Sequence, residues 1–222
     1  MKTRKLCIYL CTVLCINSLL AQEELGNGFL FPKFENGTVI FKKGNRVTAL
    51  LNYNLQVQEM LFADKEQQVM ALANLPDILA VVINERRFIP TQSGGIFYEE
   101  IKTENGFFYI QHKATMISQG KEAGYGGRSQ TSATTSIGSL YNSDAVGVAR
   151  LESSEKFAQK RDNFYYLKSG NSYKRFVSAK TLGKLFKSQA SKIEGFAKDN
   201  SINFTKIDDI AKIVDYGFSL TK

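Results

Sequence analysis

The residues best suited to acid–base chemistry in this sequence are one histidine and two pairs of neighbouring carboxylates. His112 is the only histidine of the chain, so the two- and three-histidine metal sites that are common in hydrolases cannot form within it. A serine–histidine–acid triad would have to use His112, and the sequence contains no Gly-x-Ser-x-Gly elbow to present the serine. We therefore predict that His112 is a structural residue at the end of a strand.

The adjacent carboxylates do not have the spacing of a catalytic pair. Glu99 and Glu100 lie in a predicted strand, where successive side chains point to opposite faces. Asp208 and Asp209 lie in the first turn of a predicted helix, where negative charge favours the helix dipole. Carboxylates that are distant in sequence could still meet in the fold, as a glycosidase pair requires. A hydrolase that acts on envelope polymers with such a pair is therefore one alternative.

The remaining short motifs lack the context that their chemistry requires. Residues 153–156 have the Ser-x-x-Lys spacing of penicillin-interacting enzymes, but the companion Ser-Asp-Asn and Lys-Thr-Gly motifs are missing. The glycines of residues 124–127 neither follow a clear strand nor precede a helix, unlike those of a phosphate-binding loop. We therefore predict no catalytic residue, no cofactor-binding residue and no metal ligand in this chain.

Residues 1–21 have the layout of a removable export signal. A short basic start is followed by a mostly apolar, uncharged run over residues 6–20, and polar residues begin at Gln22. This run is shorter than the roughly 20 residues that span a bilayer as a helix. We predict cleavage between Ala21 and Gln22 and no transmembrane span in the mature chain. An uncleaved anchor and a lipoprotein cut before Cys15 are the alternatives.

Cleavage after Ala21 would remove all three cysteines of the chain, which are Cys7, Cys11 and Cys15. The mature protein would then contain no thiol, no disulfide and no cysteine metal ligand. We expect this mature protein to be located in the periplasm or the cell envelope, or to be secreted.

The predicted mature chain is basic, and its charge is unevenly distributed. The full chain has 29 basic and 21 acidic residues. Loss of the three basic residues of the export signal leaves 26 basic residues, and the net charge falls from +8 to +5. Residues 22–149 then carry a net charge of −2 and residues 150–222 a net charge of +7.

The basic last third could face an anionic partner, such as a lipid headgroup or an acidic polysaccharide. The candidate residues for this contact are Lys156, Lys160, Arg161, Lys174 and Arg175. A solvated lysine surface on helices is the simpler interpretation of the same charges. Nucleic acid is not an expected partner of an exported protein.

Residues 22–119 form a predicted antiparallel β region. β-Branched and aromatic residues alternate with turn residues along it, and no segment has the pattern of a crossover helix. The clearest hairpin joins residues 38–41 to residues 46–51, and a further strand is predicted over residues 55–62. Short turns between such strands indicate a meander, either a sheet curled toward a barrel or a small sandwich.

After residue 119 the predicted structure changes twice, first to a loop and then back to regular elements. Residues 120–154 are rich in glycine, serine and threonine, which predicts a flexible loop, with a binding loop as the alternative. Regular structure is expected to resume at Asn163 with a hairpin that completes the earlier sheet. Two or three helices follow, with Ser188 and Thr205 as predicted caps. The predicted fold is α+β, with residues 155–222 in the same domain as the β region.

Short segments in both parts of the chain carry a resemblance to other proteins. They are residues 41–44, 51–54 and 75–78 and Phe88 in the first part, and residues 184–186, 193–196, 202–204 and 209–210 in the tail. With these segments the chain resembles a broad group of uncharacterised exported proteins of Gram-negative bacteria. The resemblance implies an exported protein with a β-rich first part and a short helical tail. It implies no functional residues, because no activity is known for the group.

Three hypotheses of function follow from the sequence. The first is an exported, non-enzymatic protein that binds a protein or glycan partner in the envelope through its β surface or its long loop. The second is the hydrolase acting on envelope polymers, with Glu99 or Glu100 as the residues to test. The third is a binder of anionic surfaces through the basic last third.

Overall fold

The computed structural model describes residues 28–91, 95–122, 128–129, 136–137 and 155–221. Within these ranges the chain has the predicted α+β fold, in which antiparallel strands come first and three helices follow. The strands are β1 (Glu35–Phe41), β2 (Arg46–Asn54), β3 (Glu59–Ala63), β4 (Val69–Ala71), β5 (Ile78–Ile83), β6 (Arg86–Pro90), β7 (Phe97–Lys102), β8 (Phe107–Gln111), β9 (Ala114–Glu122), β10 (Arg128–Ser129), β11 (Ser136–Ile137), β12 (Glu155–Arg161), β13 (Phe164–Ser169) and β14 (Ser172–Phe176). The helices are α1 (Ala179–Leu185), α2 (Ala190–Asp199) and α3 (Ile207–Ser219).

Ten of the strands form one open antiparallel sheet in the order β14-β13-β8-β7-β6-β5-β1-β2-β3-β4. The hairpin β13–β14 joins this sheet because Tyr166 of β13 pairs with Tyr109 of β8. The late hairpin therefore completes the earlier sheet, as the sequence predicts. A second, four-stranded sheet is built on β9, which pairs with β10, β11 and β12.

The predicted first hairpin is present and is closed by a glycine turn. Thr38 of β1 pairs with Thr48 of β2, and the N–H of Gly44 donates to the carbonyl of Phe41 at 2.9 Å. Gly44 has a φ of +91°, a backbone conformation that glycine adopts without steric cost. The turn therefore sets the register of β1 against β2.

The third strand begins later than predicted. β3 starts at Glu59, whereas the sequence predicts a strand from residue 55. The side-chain oxygen of Asn54 accepts from the N–H groups of Gln56 and Val57 at 2.9 and 3.2 Å, and Gln58 has a φ of +63°. These side-chain hydrogen bonds of Asn54 to the backbone stabilise a turn where a strand would otherwise continue.

The segment predicted as a flexible loop contains paired strands where the structure describes it. β9 continues to Glu122, and β10 and β11 pair with it. The remainder of residues 120–154 lies outside the described residues. Regular structure also resumes before Asn163, because β12 pairs with β9 from Glu155 onward. The partner strand of β12 is about 40 residues away in the sequence, so no local sequence pattern predicts this pairing.

The large sheet curls, so that strands separated in its order face each other. The ring of Tyr53 in β2 stacks on the ring of Phe88 in β6 with centroids 6.3 Å apart, although β1 and β5 lie between these strands. The hydroxyl of Tyr53 donates to the carbonyl of Phe97 at 3.5 Å. The N–H of Ala114 donates to the carbonyl of Leu55 at 3.0 Å. These contacts fasten the β2–β3 turn across the inner face of the sheet.

The inner face, which carries Phe88 and Ile110, holds two apolar clusters. The first lies inside the curl, and its fully buried members include Leu51, Tyr53, Leu55, Ile83, Phe88 and Phe97. The second lies between the sheet and the helices, and its fully buried members include Phe108, Ile110, Phe176, Leu182, Ile193, Ile210 and Val214. The predicted helical stripes therefore form core, and the opposite, outer face of these strands is left for other contacts.

The caps of the helices differ from the predicted ones. α1 begins at a capping box in which the Ser178 hydroxyl accepts from the N–H of Thr181 at 3.3 Å and the Thr181 hydroxyl accepts from the N–H of Ser178 at 3.0 Å. The predicted caps are wrong: Ser188 lies within a 3-10 turn before α2, and α3 has Lys206 at its N-cap without a side-chain bond. The Thr205 hydroxyl instead donates to Asn203 at 2.7 Å, so it is engaged in the preceding turn.

Candidate functional site

Four tyrosines from four adjacent strands form a cluster on the outer face. Strand pairing places Tyr109 opposite Tyr166, and side-chain alternation brings Tyr98 and Tyr173 to the same face. The rings of Tyr98 and Tyr166 stack with centroids 4.7 Å apart. Tyr173 meets Tyr98 and Tyr109 edge to face at 5.0 and 4.9 Å. Such ring contacts hold the four side chains in fixed orientations.

The hydroxyls of this cluster are hydrogen-bonding groups at neutral pH. The Tyr109 hydroxyl donates to the Glu100 carboxylate at 3.1 Å, and the Tyr166 hydroxyl donates to the amide oxygen of Gln111 at 2.7 Å. Burial raises the pKa of Tyr98, and the neighbouring Tyr166 and Tyr173 add to this effect. Burial likewise raises the pKa of Tyr173. The Tyr173 phenol therefore stays protonated, and its hydroxyl can donate to a ligand.

Two neighbouring cavities of about 440 and 740 Å³ open beside the tyrosine cluster. They share Pro90, Thr91 and Lys168 in their walls, so they adjoin each other, and we call the pair of cavities the outer groove. The smaller cavity is its polar arm, and its further lining includes Tyr98, Gln111, Asn171 and Tyr173. The larger cavity is its apolar arm, and its further lining includes Leu75, Pro76, Leu79 and Ile89. Both volumes lie in the range of about 300–1,000 Å³ that is typical of ligand sites.

A buried charged cluster lies on the opposite, inner face. Glu99 and His112 are only 3% and 2% exposed. Arg86 holds Glu99 with two bonds, from Nε to Oε1 at 2.5 Å and from Nη2 to Oε2 at 2.8 Å. His112 Nε2 lies 2.5 Å from the same Oε2 atom. Because an ionised carboxylate only accepts, Nε2 carries the proton and donates to Glu99.

The position of this cluster explains its role in the fold. Glu99 pairs across the sheet with Phe88 on one side and Ile110 on the other. Phe88 belongs to the first apolar cluster and Ile110 to the second, so the carboxylate lies where the two cores meet. The Arg86 guanidinium also lies over the Phe88 ring, 5.6 Å from its centroid. These contacts indicate a structural bridge between the two cores.

The chemistry available to the cluster is limited by its partners. Burial opposes the ionisation of Glu99, but the hydrogen bonds from Arg86 and His112 outweigh burial and lower its pKa to about 2. A carboxylate held in this state is a poor general base or acid near neutral pH. In the described part of the chain, His112 Nδ1 is buried without a hydrogen-bond partner, and neither arm of the outer groove is lined by Glu99 or His112.

The positions predicted for several of these residues are confirmed, but their contacts are not predictable from the sequence. Glu99 and Glu100 do point to opposite faces: Glu100 pairs with Arg87 at 3.1 Å on the outer face. Asp208 and Asp209 do lie in the first turn of α3. His112 does follow a strand, β8, but its pairing with Glu99 has no local signal, because the two residues are 13 positions apart.

The five basic candidates are distributed over two sheets. Lys156, Lys160 and Arg161 belong to β12 of the second sheet, while Lys174 and Arg175 belong to the edge strand β14 of the large sheet. Lys160 pairs with Asp162 at 3.4 Å, and the Arg175 guanidinium stacks 3.8 Å above the Phe164 ring.

Carboxylates also surround one of these cations. Arg161 lines a cavity of about 660 Å³ together with Asp162 and Asp208. Acidic and basic groups therefore share the space near Arg161, which weakens the attraction of this region for an anion. An anionic partner for the five residues stays a prediction.

We expect acid to destabilise the protein through Glu99. Its folded pKa of about 2 lies below the ordinary glutamate value of 4.5, so the stabilisation is complete above pH 4.5 and is lost as the pH falls toward 2. The difference corresponds to roughly 3 kcal/mol in the free energy of unfolding. Urea unfolding between pH 6 and 2 measures this loss.

The Glu99→Gln variant is the control for the acid effect. Other carboxylates also contribute: burial opposes the ionisation of Asp215, but hydrogen bonds from Asn105 and Thr103 lower its pKa. The variant retains Asp215 and loses only the contribution of Glu99, so its free energy of unfolding should fall less steeply between pH 4.5 and 2. Equal slopes for the two proteins would contradict the assignment.

The described residues also bear on metal binding and on membrane crossing. Within them, no group of three or more histidine, cysteine, aspartate or glutamate side chains is arranged to hold a metal ion. No helix in the same ranges has the length and apolar character that crossing a membrane requires. The predicted export signal and its three cysteines lie in residues 1–27, outside the described part of the chain.

Comparisons with protein-family models, with curated proteins and with solved structures find no match. Function is therefore inferred from the side chains of this chain alone. The outer groove with its tyrosine cluster is the candidate site, because it combines volume, apolar walls and oriented polar groups.

Proposed function

We propose that this chain is an exported, non-enzymatic protein of the periplasm, the cell envelope or the medium, and that it binds a ligand or partner in the outer groove. The observation that carries this proposal is that the two cavities adjoin, because Pro90, Thr91 and Lys168 line both of them. Together the two cavities present apolar surface at one end and phenol and amide groups at the other. Binding sites are typically built from such apolar walls with a few oriented polar groups.

Export is the second component of the proposal, and it is supported by the sequence of residues 1–21. An exported protein meets peptides, glycans and lipids of the envelope. The groove offers tyrosine rings and hydroxyls, an amide and a lysine, which suit ligands with both apolar and polar parts.

The arrangement of the carboxylates favours binding over hydrolysis. Glu99 is enclosed by Arg86 and His112 on the inner face, and Glu100 is engaged by Arg87 and Tyr109 on the outer face. A glycosidase pair needs two carboxyl groups on either side of one bond, about 5–9.5 Å apart and facing each other. Two successive strand residues that point to opposite faces do not meet this requirement.

Binding can be tested with the exported protein, whose first residue is Gln22 in this proposal. A panel of peptidoglycan fragments, chito-oligosaccharides, short peptides and single-chain amphiphiles would be screened by the shift in melting temperature. We expect at least one class to raise the melting temperature, because a ligand that binds only the folded state stabilises it.

Variants of groove residues, with a matched control, test whether a ligand-induced shift in melting temperature comes from binding in the groove. Leu79→Ser alters the apolar arm and Tyr173→Ala the polar arm, and at least one should weaken binding about tenfold. Phe107→Ala is the control, because Phe107 is 44% exposed and lines neither arm. Ligand shifts that are unchanged in both groove variants would place binding elsewhere. Turnover of a panel member that depends on Glu99 or Glu100 would instead establish the hydrolase.

A further inference from the structure

The apolar arm of the outer groove contains an aliphatic side chain that folding leaves uncovered. Leu79 is 46% exposed, although it lies in β5 between the fully buried residues Ile78 and Ala80. It lines the arm together with Leu75 and Ile89. Covering such surface is favourable by about 25 cal/mol for each Å² of apolar area removed from water. The arm therefore favours a ligand with an apolar chain.

Two lysines give the same arm a positive charge. Lys42 and Lys168 both line the cavity of about 740 Å³, and both side chains are exposed. Neither ammonium group forms an ion pair with a carboxylate among the described residues. Positive groups beside apolar walls raise the local concentration of anions. The arm therefore favours a ligand that carries a negative charge as well as an apolar chain.

We infer that the ligand of the outer groove is an anionic amphiphile with a single alkyl or acyl chain. This inference rests on the proposed binding function and names the class of ligand. The chain lies against Leu75, Leu79 and Ile89, and the anionic head pairs with Lys168. Lys42, which lines the same arm, adds a second favourable charge.

The place of Lys168 in the groove determines where the head lies. Lys168 lines both arms, so an anion paired with it has the apolar walls on one side and the polar arm on the other. Tyr173 pairs with Lys168 across the β13–β14 hairpin, and Asn171 lies in the turn of the same hairpin. Their hydroxyl and amide groups can donate to the oxygens of a carboxylate or a phosphate.

Calorimetric titration of the exported protein tests the inference with three probes of equal chain length. Decanoate and decyl phosphate carry an anionic head, and decanol does not; all are used below the concentrations at which they form micelles. We expect decanoate or decyl phosphate to bind at least fivefold more tightly than decanol, because only the anions pair with lysine. The preference between the two anions distinguishes a fatty-acid carboxylate from a phosphate head. Added salt should weaken both anions and leave decanol unchanged.

Three variants locate the contacts. Lys168→Gln should weaken the anion about fivefold without affecting decanol, and Leu79→Ser should weaken all probes that bind, about tenfold. Lys102→Gln is the matched control, because Lys102 is an exposed lysine of β7 in the same sheet that lines neither arm. Since Leu79 and Lys168 are exposed, these variants are expected to keep the fold, which circular dichroism checks.

The outcomes separate this inference from the proposed function. If neither anion binds while another ligand of the panel binds in a Tyr173- or Leu79-dependent manner, the amphiphile is wrong and the binding function stands. Equal binding of decanol and both anions, or a loss with Lys102→Gln in place of Lys168→Gln, would also overturn the inference. If no ligand of any class binds, the proposed function is wrong as well.

Discussion

Substitution of Glu99 by alanine is expected to lower the free energy of unfolding by about 3–5 kcal/mol. The variant leaves the His112 N–H buried without an acceptor and leaves the partly buried Arg86 guanidinium without its counter-ion. Both losses occur where the two apolar cores meet. Urea denaturation at pH 7, followed by circular dichroism, measures the change.

Glu100 is the matched control for this experiment, because it is the next residue of the same strand. Its carboxylate pairs with Arg87 across two partly exposed side chains, so Glu100→Ala should cost no more than about 1 kcal/mol. Glu99→Leu adds a second comparison, since it keeps the volume but removes the charge. If Glu99→Ala and Glu100→Ala have the same effect, the inner cluster does not connect the two cores in the way we describe.

Substitution of Phe88 by alanine is expected to cost about 3–5 kcal/mol, as is usual for a buried phenylalanine. Phe88 is fully buried and touches both sides of the curl: its ring stacks on Tyr53 and meets the Phe31 ring edge to face, with both centroids 6.3 Å away. The Arg86 guanidinium lies over the same ring. Loss of the ring therefore creates a cavity and weakens the charged cluster at once. Urea denaturation again provides the measurement.

Phe107 serves as the control for the cavity, because it has the same side chain in a strand of the same sheet but is 44% exposed. Phe107→Ala should change the free energy of unfolding by less than about 1 kcal/mol. The double variant of Phe88 and Glu99 should cost less than the two single variants together, because both substitutions affect Arg86. A Phe88→Ala cost near that of Phe107→Ala would mean that the sheet does not curl around this ring.

The set of residues that lines the candidate site cannot be predicted from the sequence. Tyrosines at alternate positions of a strand are expected to share one face of the sheet. The groove, however, requires Pro90 of β6, Tyr98 of β7 and Lys168 of β13 to meet. These residues come together only through the order of the strands in the sheet. Local charge patterns accordingly indicate other basic residues of the last third and give no signal for Lys168 or Lys42.

The α+β class, the β1–β2 hairpin and the core stripes of the helices are predictable from the sequence alone. These features follow from patterns within a few residues, such as the turn at Gly44 and apolar residues at helical spacing. The sequence likewise predicts that Glu99 and Glu100 point to opposite faces. Only the folded chain shows that Glu99 contacts Arg86 and His112, and that β12 pairs with β9. Those contacts join residues far apart in the chain, and their energies depend on burial and on partners that no local pattern specifies.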